Sequence, residues 1–310
     1  MMDEKTAEDA HKLIALGLHE DISSHSLIGG VDCTTAAMVP ADLTASAAVV
    51  SRKSGIVCGV DVCRLACEGY SKSLKFSSLI EDGAAVEPGE TIGVFRGFAS
   101  EILTIERTCL NFLGRLSGIA TLTHQYVTAI KGTSAQVFDT RKTTPGWRRL
   151  EKWAVACGGG QNHRMGLYDA VMIKDNHLAF LGSKYQQPAD AIPHAVKMAR
   201  DWIEANKFTL RLGHQVIVQL EVDTLEQLRI GLQTDCNIIL LDNMACEMLQ
   251  EAVAIRNQMA SRIELEASGG VNLETIRAIA ETGVERISVG ALTHSAVNFD
   301  IGLDWQVGCV

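Results

Sequence analysis

The residues Asp139-Thr140-Arg141-Lys142-Thr143-Thr144-Pro145-Gly146 follow an apolar run, Ala135 to Phe138, and set two adjacent cations among hydroxyl groups. The formal net charge of the chain is -9, yet residues 140–174 carry Arg141, Lys142, Arg148, Arg149, Lys152, Arg164 and Lys174, with His163, against only Glu151 and Asp169. Guanidinium and ammonium groups match carboxylates and phosphates. A local positive cluster in an acidic chain points to a small anion held in a pocket. It argues against general nucleic-acid binding, which needs an excess of Lys and Arg along a face.

His163 and Arg164 come shortly after Gly158-Gly159-Gly160, and three consecutive glycines favour a loop over helix or strand. Glu221 and Asp242 each end an apolar run. Carboxylates among apolar neighbours need a partner. Three readings stay open for them: ion pairs with Lys142 or Lys174, Mg²⁺ held through water, or charge that stabilises a cationic transition state. Two glycine-rich stretches, Ser268-Gly269-Gly270 and Ser288-Val289-Gly290, suit phosphate, because glycine lets backbone N–H groups approach an anion and a following helix adds its dipole.

The elements that must position these groups follow from periodicity. Six apolar runs, "AQVFD", "AVMIKD", "VIVQLEV", "IILLDN", "IELEASGG" and "RISVGAL", alternate with helix-like stretches. That alternation predicts parallel strands with helical crossovers, and each run ends in a polar residue or glycine where the strand ends of such folds converge. The step from Lys174 to Glu221 is longer than the later steps and predicts an extra element in "HLAFLGSKYQQPAD" or "NKFTLRLGHQ". Thr224 with Gln227 suits a capping box, Asn272 a helix cap and Gly283 a helix stop.

Upstream, Thr6 to Leu18 reads as a helix, residues 43–98 as short strands with a hairpin at Pro88-Gly89, and Ser100 to Lys131 as an amphipathic helix interrupted or kinked at Gly114 and Gly118. Arg107 and Arg115 on that helix are expected to snorkel at the surface. The nine cysteines lack paired metal spacing, since Cys63 and Cys67 lie one helical turn apart but no second Cys/His pair has matching spacing, and they fit free thiols in a reducing cytosol. The acidic N-terminal residues do not resemble a signal peptide, and no apolar run reaches the ~18 residues of a membrane span. A cytoplasmic protein is expected.

The motifs "TIERTCLNFL", "DTRKTTPGWRRLEKWAVACGGGQNHRMGLYDAVMIKDNH", "EVDTLEQL", "IILLDN", "EASGGVNLETI" and "ISVGALTHSA" closely resemble the quinolinate phosphoribosyltransferase family. The resemblance implies an α/β chain with an N-terminal α/β sandwich (1–116, completed by 295–310) and a C-terminal irregular TIM-like α/β barrel (117–294). It implies conversion of quinolinate and phosphoribosyl diphosphate, with Mg²⁺, into nicotinate mononucleotide, diphosphate and CO₂. It also implies a homodimer, or a hexamer of dimers, in which Arg107 completes the neighbouring site. Matched by motif, Arg141, His163, Arg164 and Lys174, with Arg107 from the partner, surround the quinolinate carboxylates, Thr140 is a further substrate-binding residue and Lys142 serves the diphosphate. Glu221 and Asp242 stand near the ribose and the metal, which they hold through water. Ser268, Gly269, Gly270 and Gly290 hold the 5′-phosphate. Gln219 stands where the family commonly has glutamate.

Overall fold

The computed structural model describes residues 2–22, 30–182, 188–210 and 216–306. In chain order the first elements are α1 (Glu4–Ile22), α2 (Cys33–Met38), β1 (Thr44–Ser51), β2 (Gly55–Ile56), α3 (Val60–Tyr70), β3 (Lys75–Ser78), β4 (Ala85–Val86), β5 (Thr91–Phe98) and α4 (Ala99–Ala129). Next come β6 (Gln136–Phe138), α5 (Arg148–Cys157), β7 (Ala170–Ile173), α6 (Asp175–Gly182), α7 (Ile192–Leu210) and β8 (Ile217–Val222). The remainder is α8 (Leu225–Gly231), β9 (Ile238–Asp242), α9 (Cys246–Gln258), β10 (Glu264–Ser268), α10 (Ile276–Glu281), β11 (Arg286–Ser288), α11 (Ala291–His294) and β12 (Ile301–Gln306).

Two compact units divide these elements: Met1–His124, Lys142–Gly160 and Leu292–Val310 form one, Gln125–Arg141 and Gln161–Ala291 the other. α5 belongs to the first unit although it follows β6 in the chain.

The first unit holds an antiparallel sheet in the order β12-β1-β5-β3. The chain end returns to it as β12, which pairs with β1 from Ser46 opposite Gln306 to Ser51 opposite Ile301. The expected hairpin at Pro88-Gly89 is corrected. Glu90 N–H donates to Glu87 O at 3.1 Å, so the turn forms, but β4 pairs with β2 while β5 lies between β1 and β3. Turn chemistry reverses the chain; it does not choose which strand completes the ladder.

The kink expected in α4 is also corrected, for the helix runs unbroken through both glycines. A Cβ on Gly118 would lie 2.1 Å from Val297 O, and one on Gly114 would lie 3.1 Å from Phe299 O. The glycines admit a crossing backbone, and the packing outweighs the roughly 1 kcal/mol that each costs in helix propensity. Arg115 does not snorkel. It donates to Glu151, which is fully buried, and to the carbonyls of Thr293 and Ala296.

The same unit absorbs three of the seven Lys and Arg residues of the cluster. Arg149 pairs with Asp9 at 3.2 Å, Arg148 Nε donates to Thr143 Oγ1 at 3.0 Å, and Lys152 is fully buried on α5. These cations are structural, which the charge count alone did not separate from the rest.

The second unit is a parallel six-stranded sheet in the order β6-β11-β10-β9-β8-β7, with helices in the connections, as in an irregular TIM-like barrel. All six predicted runs form strands. Val218, Leu220, Ile239, Leu241, Leu265, Ala267 and Ile287 are buried. The long step before Glu221 contains α6, a 3₁₀ turn (Pro188–Ala191) and α7; the parts of the expected insertion at 183–187 and 211–215 lie outside the described residues. Thr224 Oγ1 accepts from Gln227 N at 3.2 Å, and Gln227 Oε1 reaches back to Asp223 N at 2.8 Å, one residue earlier than an ideal capping box. Among the described residues no helix is long and apolar enough to cross a membrane.

Candidate active site

Parallel strands put all their carboxyl ends on one edge of the second unit, and that edge carries the predicted polar set. Thr140 and Arg141 follow β6, Lys174 follows β7, and Glu221 lies on β8. Asp242 and Ser268 end β9 and β10, and Gly290 follows β11. The register pairs Asp242 with Ser268 and sets Glu221 opposite Leu240, so Glu221 and Asp242 share one face two residues apart along neighbouring strands.

Lys174 Nζ forms an ion pair with Glu221 Oε2, one of the partners left open by the sequence. Asp242 Oδ2 accepts from Asn243 Nδ2 at 2.9 Å, and Asn243 N–H donates to Ser268 O at 2.8 Å. Asn243 adopts φ 53°, a left-handed conformation that asparagine tolerates. It thereby joins the ends of β9 and β10 and aims the Asp242 carboxylate. Gly269 has φ 97°, and a Cβ there would fall 2.0 Å from Asn243 Oδ1, so only glycine fits this turn. Asn272 Oδ1 accepts from Glu274 N at 2.9 Å and Thr275 N at 3.0 Å, which caps the turn leading into α10.

Arg141 Nε is buried without a hydrogen-bond partner among the described residues. An unmet guanidinium donor costs about 1–3 kcal/mol when buried, and an incoming anion relieves that cost. Arg164 donates to Ala170 O at 3.2 Å and contacts Met172 Sδ at 3.4 Å. Burial, reinforced by the charge of Arg141, lowers its pKa from the usual guanidinium value. Two half-buried arginines that repel one another again favour a negative guest.

His163 N–H donates to Asp139 Oδ1 at 2.8 Å, and its ring lies against Glu266. Lys142 and Arg107 belong to the first unit and both are exposed. Lys142 O accepts from Thr293 Oγ1 at 2.8 Å. A cavity of about 260 Å³ beside Glu221 is lined also by Asp175, Asn176, Asp223 and Gln227.

For a divalent cation the donor set is partial. Among the described residues no group of three or more His, Cys, Asp or Glu side chains converges as a metal cage. Two acidic strand ends fit Mg²⁺, which keeps waters and takes one or two carboxylates together with substrate phosphates.

Sequence reasoning missed a polar layer beneath the strand ends, namely the buried Asp139 and Glu266 with the half-buried Arg286. The available signal was a lone glutamate inside the apolar run "IELEAS" beside a run that begins with arginine. The amide of Gln219 is fully buried, with neither of its polar atoms hydrogen-bonded among the described residues. It is one layer below Glu221 on the same face of β8.

Fold and site together define a parallel α/β barrel enzyme whose strand ends carry cations, carboxylates and glycine turns, a set suited to a small polyanion. The chain belongs to the quinolinate phosphoribosyltransferase family: residues 32–117 match its N-terminal domain and residues 119–304 its C-terminal domain. It is 40% identical over 310 residues to the carboxylating nicotinate-nucleotide pyrophosphorylase of Mycobacterium leprae, covering 98% of this chain and 100% of that protein. It is 38% identical to a decarboxylating quinolinate phosphoribosyltransferase of Nicotiana glauca, covering 95% of this chain and 82% of that protein. The nicotinate-nucleotide pyrophosphorylase structure from Francisella tularensis superposes with a TM-score of 0.82 at 34% identity, with 97% of each chain covered.

Proposed function

We infer that the chain carries out the reaction of its family, in which quinolinate and phosphoribosyl diphosphate give nicotinate mononucleotide, diphosphate and CO₂ in de novo NAD biosynthesis. The observation that carries this reading is the match to both family domains by a chain whose strand ends retain the cations, carboxylates and glycine turns of the motifs.

Arg141, His163, Arg164 and Lys174 hold the two pyridine carboxylates, with Arg107 supplied by a neighbouring copy in a homodimer. The buried, unmatched Nε of Arg141 supports its part. Ser268, Gly269, Gly270 and Gly290 receive the 5′-phosphate through backbone N–H groups. Thr140 adds a hydroxyl beside the carboxylates, and Lys142, the next residue after Arg141, serves the diphosphate.

Departure of diphosphate leaves positive charge on the ribose, and Glu221 and Asp242 stabilise it. Glu221 and Asp242 would hold Mg²⁺ through water, and the ion would supply positive charge against the departing diphosphate. The quinolinate nitrogen then attacks C1 of the ribose and becomes cationic. When the adjacent carboxylate leaves as CO₂, its bonding electron pair stays on the ring carbon, stabilised by the neighbouring cationic nitrogen, and takes a proton from solvent. Orientation of the two substrates carries much of the rate. The free, mostly buried cysteines support a reducing, cytosolic setting.

Purified protein incubated with quinolinate, phosphoribosyl diphosphate and Mg²⁺ is expected to yield nicotinate mononucleotide and CO₂ in equal amounts. Absence of product, or equal use of nicotinate, overturns the reading. Arg107→Ala and Lys142→Ala variants are each expected to be inactive and to recover partial activity when mixed and re-dimerised. Failure to complement argues against a shared site.

A further inference from the structure

Glu266 on β10 is fully buried, and its carboxylate stands between two proposed or observed partners of the site. Arg286 Nε donates to Oε2 at 2.8 Å, and His163 Nε2 lies 3.3 Å from Oε1, a charge contact without hydrogen-bond alignment. Glu266 and Arg286 are register partners on adjacent strands, and the Arg286 guanidinium covers the Phe138 ring at 3.6 Å. One end of this chain of contacts is therefore fixed by the sheet itself.

The other end is fixed by the loop after the three glycines. Asp139, itself fully buried, accepts the backbone N–H of His163 at 2.8 Å, and His163 Nδ1 accepts the backbone N–H of Arg164 at 2.7 Å. A ring nitrogen that accepts a hydrogen bond carries no proton, so this network puts the ring proton on Nε2, the atom that faces Glu266. Burial alone would push the Glu266 carboxyl up; His163 and Arg286 outweigh it and hold the group below its usual value, which keeps it an acceptor.

We propose that Glu266 is a positioning residue for quinolinate binding: it holds the His163 ring in its Nε2–H form, and through the His163–Arg164 hydrogen bond it fixes the start of the Arg164 side chain. The proposal rests on the reading above that His163 and Arg164 address the pyridine carboxylates. Glu266 does not itself touch substrate. Its carboxylate belongs to the layer below the strand ends, where it sets the orientation of a side chain that does.

The test has two arms. In the first, ¹⁵N NMR of the His163 ring in the wild-type protein is expected to show a protonated Nε2 and an unprotonated Nδ1. Glu266→Gln is expected to mix the two tautomers, because the amide offers Nε2 either an oxygen or a nitrogen. An Nδ1–H ring in the wild type, or an unchanged ring in Glu266→Gln, overturns the proposal. In the second arm, Glu266→Gln is expected to raise the KM for quinolinate about tenfold with the KM for phosphoribosyl diphosphate changed less than about threefold. Placed on His163→Ala, the same change is expected to add less than about twofold, since the two residues act as one unit. Equal losses on both backgrounds, or equal losses for both substrates, mark Glu266 as merely structural and overturn the proposal. Should His163→Ala leave the quinolinate KM unchanged, the assignment of His163 to the substrate fails instead, and the tautomer arm separates that result from a failure at Glu266.

Discussion

Replacing Gly118 by alanine separates helix propensity from packing, because the two act in opposite directions. In an ordinary helix interior the change stabilises by roughly 0.5–1 kcal/mol. In α4 the new Cβ would fall 2.1 Å from Val297 O and 3.1 Å from Val297 C. Non-bonded carbon rests at about 3.5–4.0 Å from its neighbours, so either the helix or the crossing segment must move by more than roughly 1 Å. The crossing segment is tethered, since Phe299 N–H donates to Gly114 O at 2.8 Å. Overpacking of this kind costs about 1–3 kcal/mol, which exceeds the propensity gain. The expected result is a net loss of about 1–2 kcal/mol, read from urea midpoints at unchanged slope. Gly69→Ala on α3 is the control, because a Cβ there meets nothing within 4 Å; it is expected to gain a few tenths of a kcal/mol. A Gly118→Ala protein as stable as the wild type would refute the packing argument.

Gly269→Ala must both adopt φ 97° and displace Asn243. It is expected to raise the KM for phosphoribosyl diphosphate by at least about tenfold while changing that for quinolinate little. Gly283→Ala, strained at φ 94° but outside the strand-end set, is expected to lose stability without that kinetic signature, and similar kinetics in the two variants would contradict the phosphate assignment.

Asp82 gives a pH prediction. Burial pushes its carboxyl up to about 6, against the backbone N–H groups of Val60, Asp61 and Gly59 that favour the ionised form. A folded value above the unfolded one means that the stability from this group is complete below the unfolded value of 3.8 and is lost as pH rises through about 6. Urea midpoints of the wild type are expected to fall between about pH 4 and pH 6 through this group, and Asp82→Asn is expected to flatten that part of the profile. An equally steep profile in the variant assigns the effect elsewhere.

Much of the strand-end set was legible because it is local. Each apolar run is short, ends in a polar residue or glycine, and is followed by a helix signal, so the six strands and their carboxyl ends could be placed from sequence. Misreadings arose where the answer depended on residues far away in the chain. Pro88-Gly89 marks a turn, but the partners of β4 and β5 come from β2, β1 and β3. Gly118 looks like a helix break until Val297 passes over it. Arg115 looks like a surface cation until Glu151 and two carbonyls of the chain end surround it.

By itself, then, the sequence determined the alternation of strand and helix, the chemistry at each strand end and, through its motifs, the family. Only the tertiary structure decided that β6 lies beside β11, that α5 belongs to the first unit, that Lys174 takes Glu221, and that Glu266 lies buried between Arg286 and His163. The physical reason is range: propensity and periodicity act over a few residues, whereas a buried charge selects its partner from whatever the fold brings within about 4 Å, however distant in the chain.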